Sequence, residues 1–220
     1  MNAVTSQLQE LRVRNPALFR SVLVFNYCPA VYLHPSRRAQ IFNGSIPELS
    51  WEEPAATTRL SALLLTEFEL SKHPYLIVPD PHWSLALLSR ERLARLAAHV
   101  GAVIFAPQIR TCLARSNVLE WKERLGVDAF QFIMQSSLLL PPLIEQPPIL
   151  PDADSHSLGF GLILQCLSAS PFEMQQRVLL KTPVGAQASS VSHRAASQIV
   201  FSVMNILEGE WHSFCNAIRH

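Results

Sequence analysis

Residues 88–140 of this chain read LSRERLARLAAHVGAVIFAPQIRTCLARSNVLEWKERLGVDAFQFIMQSSLLL, and their pattern predicts three or four consecutive helices. Ser89 can accept hydrogen bonds from the free backbone N–H groups of a helix start. The apolar residues after it recur at the spacing of one helical face. Gly101 then predicts the end of the first helix, because glycine adopts the left-handed conformation of a helix terminus at little cost.

The same stretch carries start and stop signals for the next helices. A second helix is predicted over 107–114, because its first residue is a proline that has no N–H group to lose. Ser116 or Asn117 can cap a third helix over 118–125, which Gly126 would close.

A fourth helix is predicted from the capping-box spacing of Asp128 and Gln131. Its periodicity directs one apolar face inward. The residues of that face are Phe130, Ile133, Met134 and Leu138. The whole stretch therefore predicts a packing scaffold and shows no catalytic motif.

The composition indicates a folded protein with rigid corners. Of its 220 residues, 49% are hydrophobic and 16% are charged, below the roughly 25% charge of an average domain. Low charge favours a surface that is covered by a partner, although a large core would give the same composition. Sixteen prolines against seven glycines predict short helices joined by fixed connections.

Helix signals recur on both sides of this stretch. Residues 72–81 (KHPYLIVPDP) differ, since a short apolar run between prolines predicts one strand or an extended connector. Capping residues and prolines predict helix starts at Ser6, Asn15-Pro16, Pro29, Thr57 or Thr58, Ser157 and Ser170-Pro171, and a last helix over about 194–218.

These signals predict an all-α protein, an irregular bundle of short helices with Pro-rich connections and room for one minor strand pair. Residues 1–140 would form an N-terminal helical lobe. Residues 141–151 hold five prolines, which cannot continue a helix, and would form a Pro-rich strap. Residues 152–220 would form a C-terminal helical segment that packs on the lobe as one compact unit.

The sequence favours no catalytic residue, no cofactor site and no metal site. His212 and Cys215 share a helical face, but a zinc site needs about four ligands and no second pair has a suitable spacing. Cys28 near His34, and Ser155 beside His156, lack the strained turn of an activated nucleophile. Glycine clusters that could cradle a nucleotide are missing from the sequence. We therefore expect a protein that is not an enzyme.

The localisation signals favour the cytoplasm. The four cysteines have no paired spacing, which is typical of reduced thiols in a cytosolic protein. The N-terminal sequence does not resemble a signal peptide, and no apolar run approaches the ~18 residues of a membrane span. We expect no direct membrane insertion.

Charge is concentrated between Arg90 and Arg124. Seven cations face three carboxylates there, which leaves an excess of four positive charges; since the whole chain is +1, the remainder sums to −3. This polarity suits docking on an acidic protein surface, although a solvated helix face would look the same. Nucleic acid is disfavoured, because the aromatic residues follow apolar faces instead of alternating with the cations. The candidate partner-binding residues are Arg92, Arg95, Arg110 and Arg124.

Three segments resemble a known family in the same order along the chain. They are NYCPAVYLHP at 26–35, LLLTEFEL at 63–70 and RLARLAAHVGAVIFAPQIRTCL at 92–113. They resemble the SctK family (YscK-like), which are accessory proteins of the sorting platform in bacterial type III secretion. The resemblance covers most of 25–140.

This resemblance implies a non-enzymatic adaptor. Such proteins link the cytoplasmic domain of the inner-membrane ring protein to the pod (SctQ-type) protein, at the cytoplasmic face of the inner membrane. The family supplies no catalytic residues to transfer. A second docking surface would be the acidic loop at 45–54 or the last helix. The alternative is a type III secretion chaperone or another protein-binding module, and secretion chaperones are usually acidic α/β dimers.

Overall fold

A computed structural model of the chain describes residues 3–70, 74–75, 81–112, 114–136 and 154–217. In these ranges every regular element is a helix, which confirms the predicted all-α class. Most of the extended segment predicted at 72–81 and the whole strap predicted at 141–151 lie outside the described residues.

The described residues form fourteen α-helices and two 3₁₀ turns, Ile41–Gly44 and Glu48–Trp51. A proline is the first residue of the second to fifth helices, which agrees with the predicted fixed corners. The helices are α1 Ala3–Arg14, α2 Pro16–Tyr27, α3 Pro29–Tyr32, α4 Pro35–Arg38, α5 Pro54–Glu67, α6 Trp83–Ala86, α7 Arg90–Ile104, α8 Ala106–Thr111, α9 Arg115–Leu125, α10 Val127–Ser136, α11 Ser155–Cys166, α12 Phe172–Leu180, α13 His193–Leu207 and α14 Gly209–Ala217.

Backbone proximity divides the chain into two compact units. The first unit takes Met1–Arg90, Ser170–Gly185 and Ser213–His220, and the second takes Glu91–Ala169 and Ala186–His212. Each unit draws on both sides of the predicted strap, so the units have other bounds than the predicted lobes. The division into 1–140, 141–151 and 152–220 stays a prediction, since the strap itself is not described.

The first unit is organised around the segment 26–35. The Asn26 side chain donates to the Tyr75 carbonyl at 2.9 Å and accepts from the Tyr75 N–H at 2.6 Å, so it pairs with the backbone as a strand would. Farther along, the His34 N–H donates to the Leu180 carbonyl at 2.9 Å. Both contacts satisfy buried or half-buried polar groups over long sequence distances.

Two buried cations, Lys181 and Arg177, bind backbone carbonyl groups in the interior of this unit. The ammonium of Lys181 donates to the carbonyl oxygens of Ala86 at 2.6 Å and Leu88 at 2.7 Å. It also lies 4.9 Å and 5.0 Å from the ring centroids of Phe25 and Tyr32. Carbonyl dipoles and aromatic faces thus stabilise the buried charge. Arg177 lies fully buried nearby, where its guanidinium donates to the carbonyls of Glu173 and Leu70.

The second unit contains a close contact between α7 and α11. A methyl group at Gly101 would lie 1.7 Å from the Ser155 carbonyl oxygen, and one at Gly159 would lie 1.8 Å from that of Ala97. The prediction that Gly101 ends a helix is therefore wrong, because α7 continues to Ile104. The glycine is required because two helix backbones meet there.

The other helices of the second unit agree in part with the predictions. Gly126 closes α9 with a φ of +79°, as predicted. Ser116 and Asn117 do not cap α9, however, since the helix already begins at Arg115. Met134 was predicted to face inward with Phe130 but is 56% exposed. Leu138, predicted on the same face, lies outside the described residues.

Three further start and stop predictions are corrected. Ser170 does not cap α12; its hydroxyl lies 3.0 Å from Nδ1 of buried His82. Thr57 lies inside α5, where its hydroxyl donates to the Glu53 carbonyl. The single helix predicted over 194–218 is two helices, α13 and α14, which separate at Glu208. The Asn15-Pro16 start of α2 is confirmed, with the Asn15 side chain accepting from the Leu18 N–H.

Replacing Lys181 by Met should destabilise the chain, because two buried carbonyl acceptors would lose their donor. We expect the free energy of unfolding to fall by roughly 2 to 4 kcal/mol in urea denaturation. Lys122→Met is the matched control, since Lys122 is exposed on α9. Equal stability of the Lys181→Met variant and the wild type would show that the buried charge adds nothing net.

Gly159→Ala should also destabilise the chain, because the added methyl would overlap the Ala97 carbonyl. We expect the free energy of unfolding to fall by roughly 2 kcal/mol, measured from the shift of the urea midpoint. Gly209→Ala is the control, since a methyl there meets nothing within 4 Å. Similar midpoints for the two variants would contradict the close helix contact.

Candidate functional site

The four candidate arginines belong to the second unit and lie on three helices. Arg92 and Arg95 are on α7, Arg110 is on α8 and Arg124 is on α9. Arg95, Arg110 and Arg124 are exposed, while Arg92 is half-buried. Their neighbours differ, and these neighbours decide what each cation can do.

Arg92 is tied to the end of α13. Its guanidinium forms an ion pair with Glu208, with Nε 3.0 Å from the carboxylate oxygen. It also lies 5.1 Å from the ring centroid of Trp211. The Glu208 side chain is only 10% exposed, so Arg92 offsets a carboxylate that water reaches poorly. Arg92 therefore links α7 to Glu208 at the end of α13 and to Trp211.

Arg95 is tied to the first turn of α10. Its Nε lies 3.3 Å from Oδ2 of Asp128, and both side chains are more than half exposed. The same oxygen lies 3.5 Å from Nε2 of His99, whose side chain is 2% exposed. Burial lowers the pKa of His99 below its usual value, although its backbone hydrogen bond and Asp128 act in the opposite direction.

Arg124 and Arg110 have other surroundings. Arg124 lies 4.9 Å from the ring centroid of Phe105 and 5.1 Å from that of Trp121. It also lies in the last turn of α9, where a cation interacts favourably with the helix dipole. Arg110 is exposed in the last turn of α8, next to buried Ile109.

Two carboxylates from outside 90–124 lower the local charge of this region. Asp128 is 33 residues from Arg95, and Glu208 is 116 residues from Arg92. The sequence predicts only a capping role for Asp128 and no role for Glu208. A count of charges over residues 90–124 misses carboxylates that come close to the arginines only in the folded chain. His99 and Trp211 were missed for the same reason, and their only signal was their position on helices.

The other sequence candidates have structural surroundings. His34 accepts from the Ser36 N–H at 3.2 Å as the cap of α4. His212 lies 5.7 Å from the Phe201 ring, and Cys215 is buried. Among the described residues, no three His, Cys, Asp or Glu side chains are grouped so that they could hold a metal ion. None of the described helices is long and apolar enough to cross a membrane.

Reversing the charge of Arg92 should destabilise the protein more than reversing that of Arg95. Arg92→Glu would place a second carboxylate beside poorly hydrated Glu208, and we expect a loss of roughly 1 to 3 kcal/mol in urea unfolding. Arg95→Glu should stay within about 0.5 kcal/mol of wild type, because Asp128 is 67% exposed. Equal losses in the two variants would contradict the structural role of Arg92.

Comparison with known proteins agrees with the resemblance seen in the sequence. The sequence model of a family described as YOP proteins translocation protein K (YscK) matches residues 21–203, a range that contains all four arginines and the segment 26–35. No curated protein and no solved structure matches the chain. The chain therefore belongs to the YscK family, which is the SctK family of type III secretion.

Proposed function

We propose that this protein is a non-enzymatic adaptor of the type III secretion sorting platform. It would link the cytoplasmic domain of the inner-membrane ring protein to the pod (SctQ-type) protein, in the cytoplasm at the inner membrane. The observation that carries this proposal is the family match over residues 21–203. An adaptor must hold two partners at a fixed geometry, which agrees with short helices joined at proline corners.

The polar groups that could suggest catalysis support the structure instead. His34 caps α4, and His82 and Ser170 are buried against each other. A nucleophile and its base need access to a substrate, so the burial of the Ser170–His82 pair favours a structural role for it.

We assign one docking face to Arg95, Arg110 and Arg124 on the second unit, with Arg92 as its internal support. Exposed cations on separate helices can meet several carboxylates of an acidic partner and speed its association. Arg124 lies on two aromatic rings, which restrict its motion and reduce the entropy that docking would cost. The pairing of Arg92 with Glu208 removes it from this face.

The loop at 45–54 is the preferred second surface. Arg38 pairs with Glu48 and lies 5.4 Å from the ring centroid of Trp51, so one side chain anchors the loop at two points. Leu49, in the 3₁₀ turn of this loop, is 80% exposed. An exposed apolar residue with acidic neighbours suits a partner whose surface is basic and apolar.

The alternative function, a secretion chaperone, has less support. Such chaperones are expected to be acidic α/β dimers, whereas this chain carries a net charge of +1 and is all-α over its described residues. The two functions also differ in partners. An adaptor should copurify with ring and pod proteins, and a chaperone should form a one-to-one complex with a single exported protein.

A pull-down of the tagged chain from its native host tests the adaptor. Both the ring protein and the pod protein should copurify, and their recovery should fall as salt rises, because exposed charges are screened beyond about 10 Å at ~0.1 M salt. Recovery of one exported protein alone would contradict the adaptor and favour the chaperone. Recovery that does not depend on salt would contradict electrostatic docking.

The double variant Arg95→Glu/Arg110→Glu tests the docking face. We expect roughly ten-fold weaker binding of one of the two partners in titration calorimetry, with the other partner unaffected. Arg59→Glu is the matched control, because it reverses an exposed charge on α5 of the first unit. Wild-type affinity of the double variant for both partners would disprove this assignment.

A further inference from the structure

A single carboxylate oxygen joins an exposed cation to a buried imidazole. Oδ2 of Asp128 lies 3.3 Å from Nε of Arg95 and 3.5 Å from Nε2 of His99. Arg95 and Asp128 are 52% and 67% exposed, while His99 is 2% exposed. The contact therefore connects the proposed docking face with the interior of the same unit.

The backbone fixes which nitrogen of His99 carries the proton. Nδ1 lies 2.8 Å from the Arg95 carbonyl oxygen, which can only accept, so Nδ1 must be the donor. In the neutral ring, Nε2 then directs a lone pair toward the carboxylate of Asp128 and gains nothing from it. Protonation adds an N–H group at Nε2 and turns the same contact into a charged hydrogen bond.

The surroundings of His99 hold three other ionisable groups. Asp128 comes from α10, Arg95 from its own helix and His156 from α11, while the ring of Phe132 packs edge-on with its centroid 5.0 Å from that of His99. Burial is the largest influence and lowers the pKa of His99; Arg95 and His156 lower it further, and the bond to the Arg95 carbonyl and Asp128 raise it. The ring is therefore neutral near pH 7 and takes up a proton only below its usual range.

We propose that protonation of His99 regulates docking on this face, because the imidazolium draws the Asp128 carboxylate away from the Arg95 guanidinium. Arg95 then becomes available to a carboxylate of the partner, and the cluster gains one positive charge. An acidic partner binds more tightly as the pH falls. The inference rests on the proposed docking role of Arg95 and extends it with a regulatory group.

Linkage fixes the sign of this coupling. Well above the usual pKa of His99 the ring is neutral in the free and in the bound protein, so affinity is constant there. As the pH falls through the lowered pKa, the bound state takes up the proton first, and affinity rises. Binding of an acidic partner must raise the pKa of His99 by the reciprocal amount.

The first experiment uses the full chain without partner. The ¹⁵N resonances of Arg95 Nε and the His99 ring are followed by NMR from about pH 7.5 to about pH 5. We expect both to titrate with one midpoint in the wild type. In Asp128→Asn, His99 should still titrate while Arg95 no longer responds. An Arg95 resonance that stays constant in the wild type would overturn the coupling.

The second experiment measures the affinity for the pod protein and the ring domain at the two ends of this pH range. Binding to one partner should be roughly five-fold tighter at the lower pH in the wild type, and this gain should vanish in Asp128→Asn and in His99→Gln. Asp128→Asn carries the test if His99→Gln fails to fold, because the Asp128 side chain is largely exposed.

The two experiments separate the two proposals once Arg95→Glu is included in the affinity measurements. If Arg95→Glu weakens binding but affinity does not depend on pH, the regulation by His99 is wrong while the docking face stands. If the resonances titrate together but Arg95→Glu leaves both affinities unchanged, the docking role is wrong and the regulation falls with it.

Discussion

The first unit depends on the buried ammonium of Lys181. A charge in a protein interior is tolerated only where dipoles replace the water it has lost. Here the carbonyls of Ala86 and Leu88 and the rings of Phe25 and Tyr32 supply them, so residues from four parts of the chain meet at one atom. None of these groups can move away without exposing the charge to an apolar surrounding, and the ammonium therefore sets where α2, α3, α6 and α12 lie.

The second unit depends on a different constraint, the absence of side chains at Gly101 and Gly159. Backbone contact between α7 and α11 fixes the direction of α7, and α7 carries Arg92 and Arg95. The cations of the two units have different roles, which follow from their burial. Buried cations bind carbonyls and organise the interior, a half-buried one offsets Glu208, and exposed ones form the proposed docking face. Exposure and neighbours thus decide the function of a cation, and its position in the sequence does not.

Local signals were sufficient for the fold class and for several helix ends. Asn15-Pro16 and Gly126 act within a few residues, so the sequence alone predicts them. Gly101 and Ser170 carry equally good local signals, but the predictions from them are wrong. In the folded chain Gly101 contacts the backbone of α11, and the Ser170 hydroxyl contacts His82. The candidate site shows the same limit. Its arginines were visible as a charge excess, whereas the carboxylates that face two of them come from distant elements.

The interleaved units have a consequence for the order of folding. The ribosome delivers the chain from its N-terminus, and a domain that is contiguous in sequence can fold as it emerges. The first unit cannot, because Arg177 and Lys181 reach it only after all of Glu91–Ala169 has been made. Until then Phe25, Tyr32 and the carbonyl of Leu88 lack the group that joins them. The core of the first unit therefore stays incomplete while Glu91–Ala169 is synthesised, and its apolar side chains remain exposed to aggregation for that time.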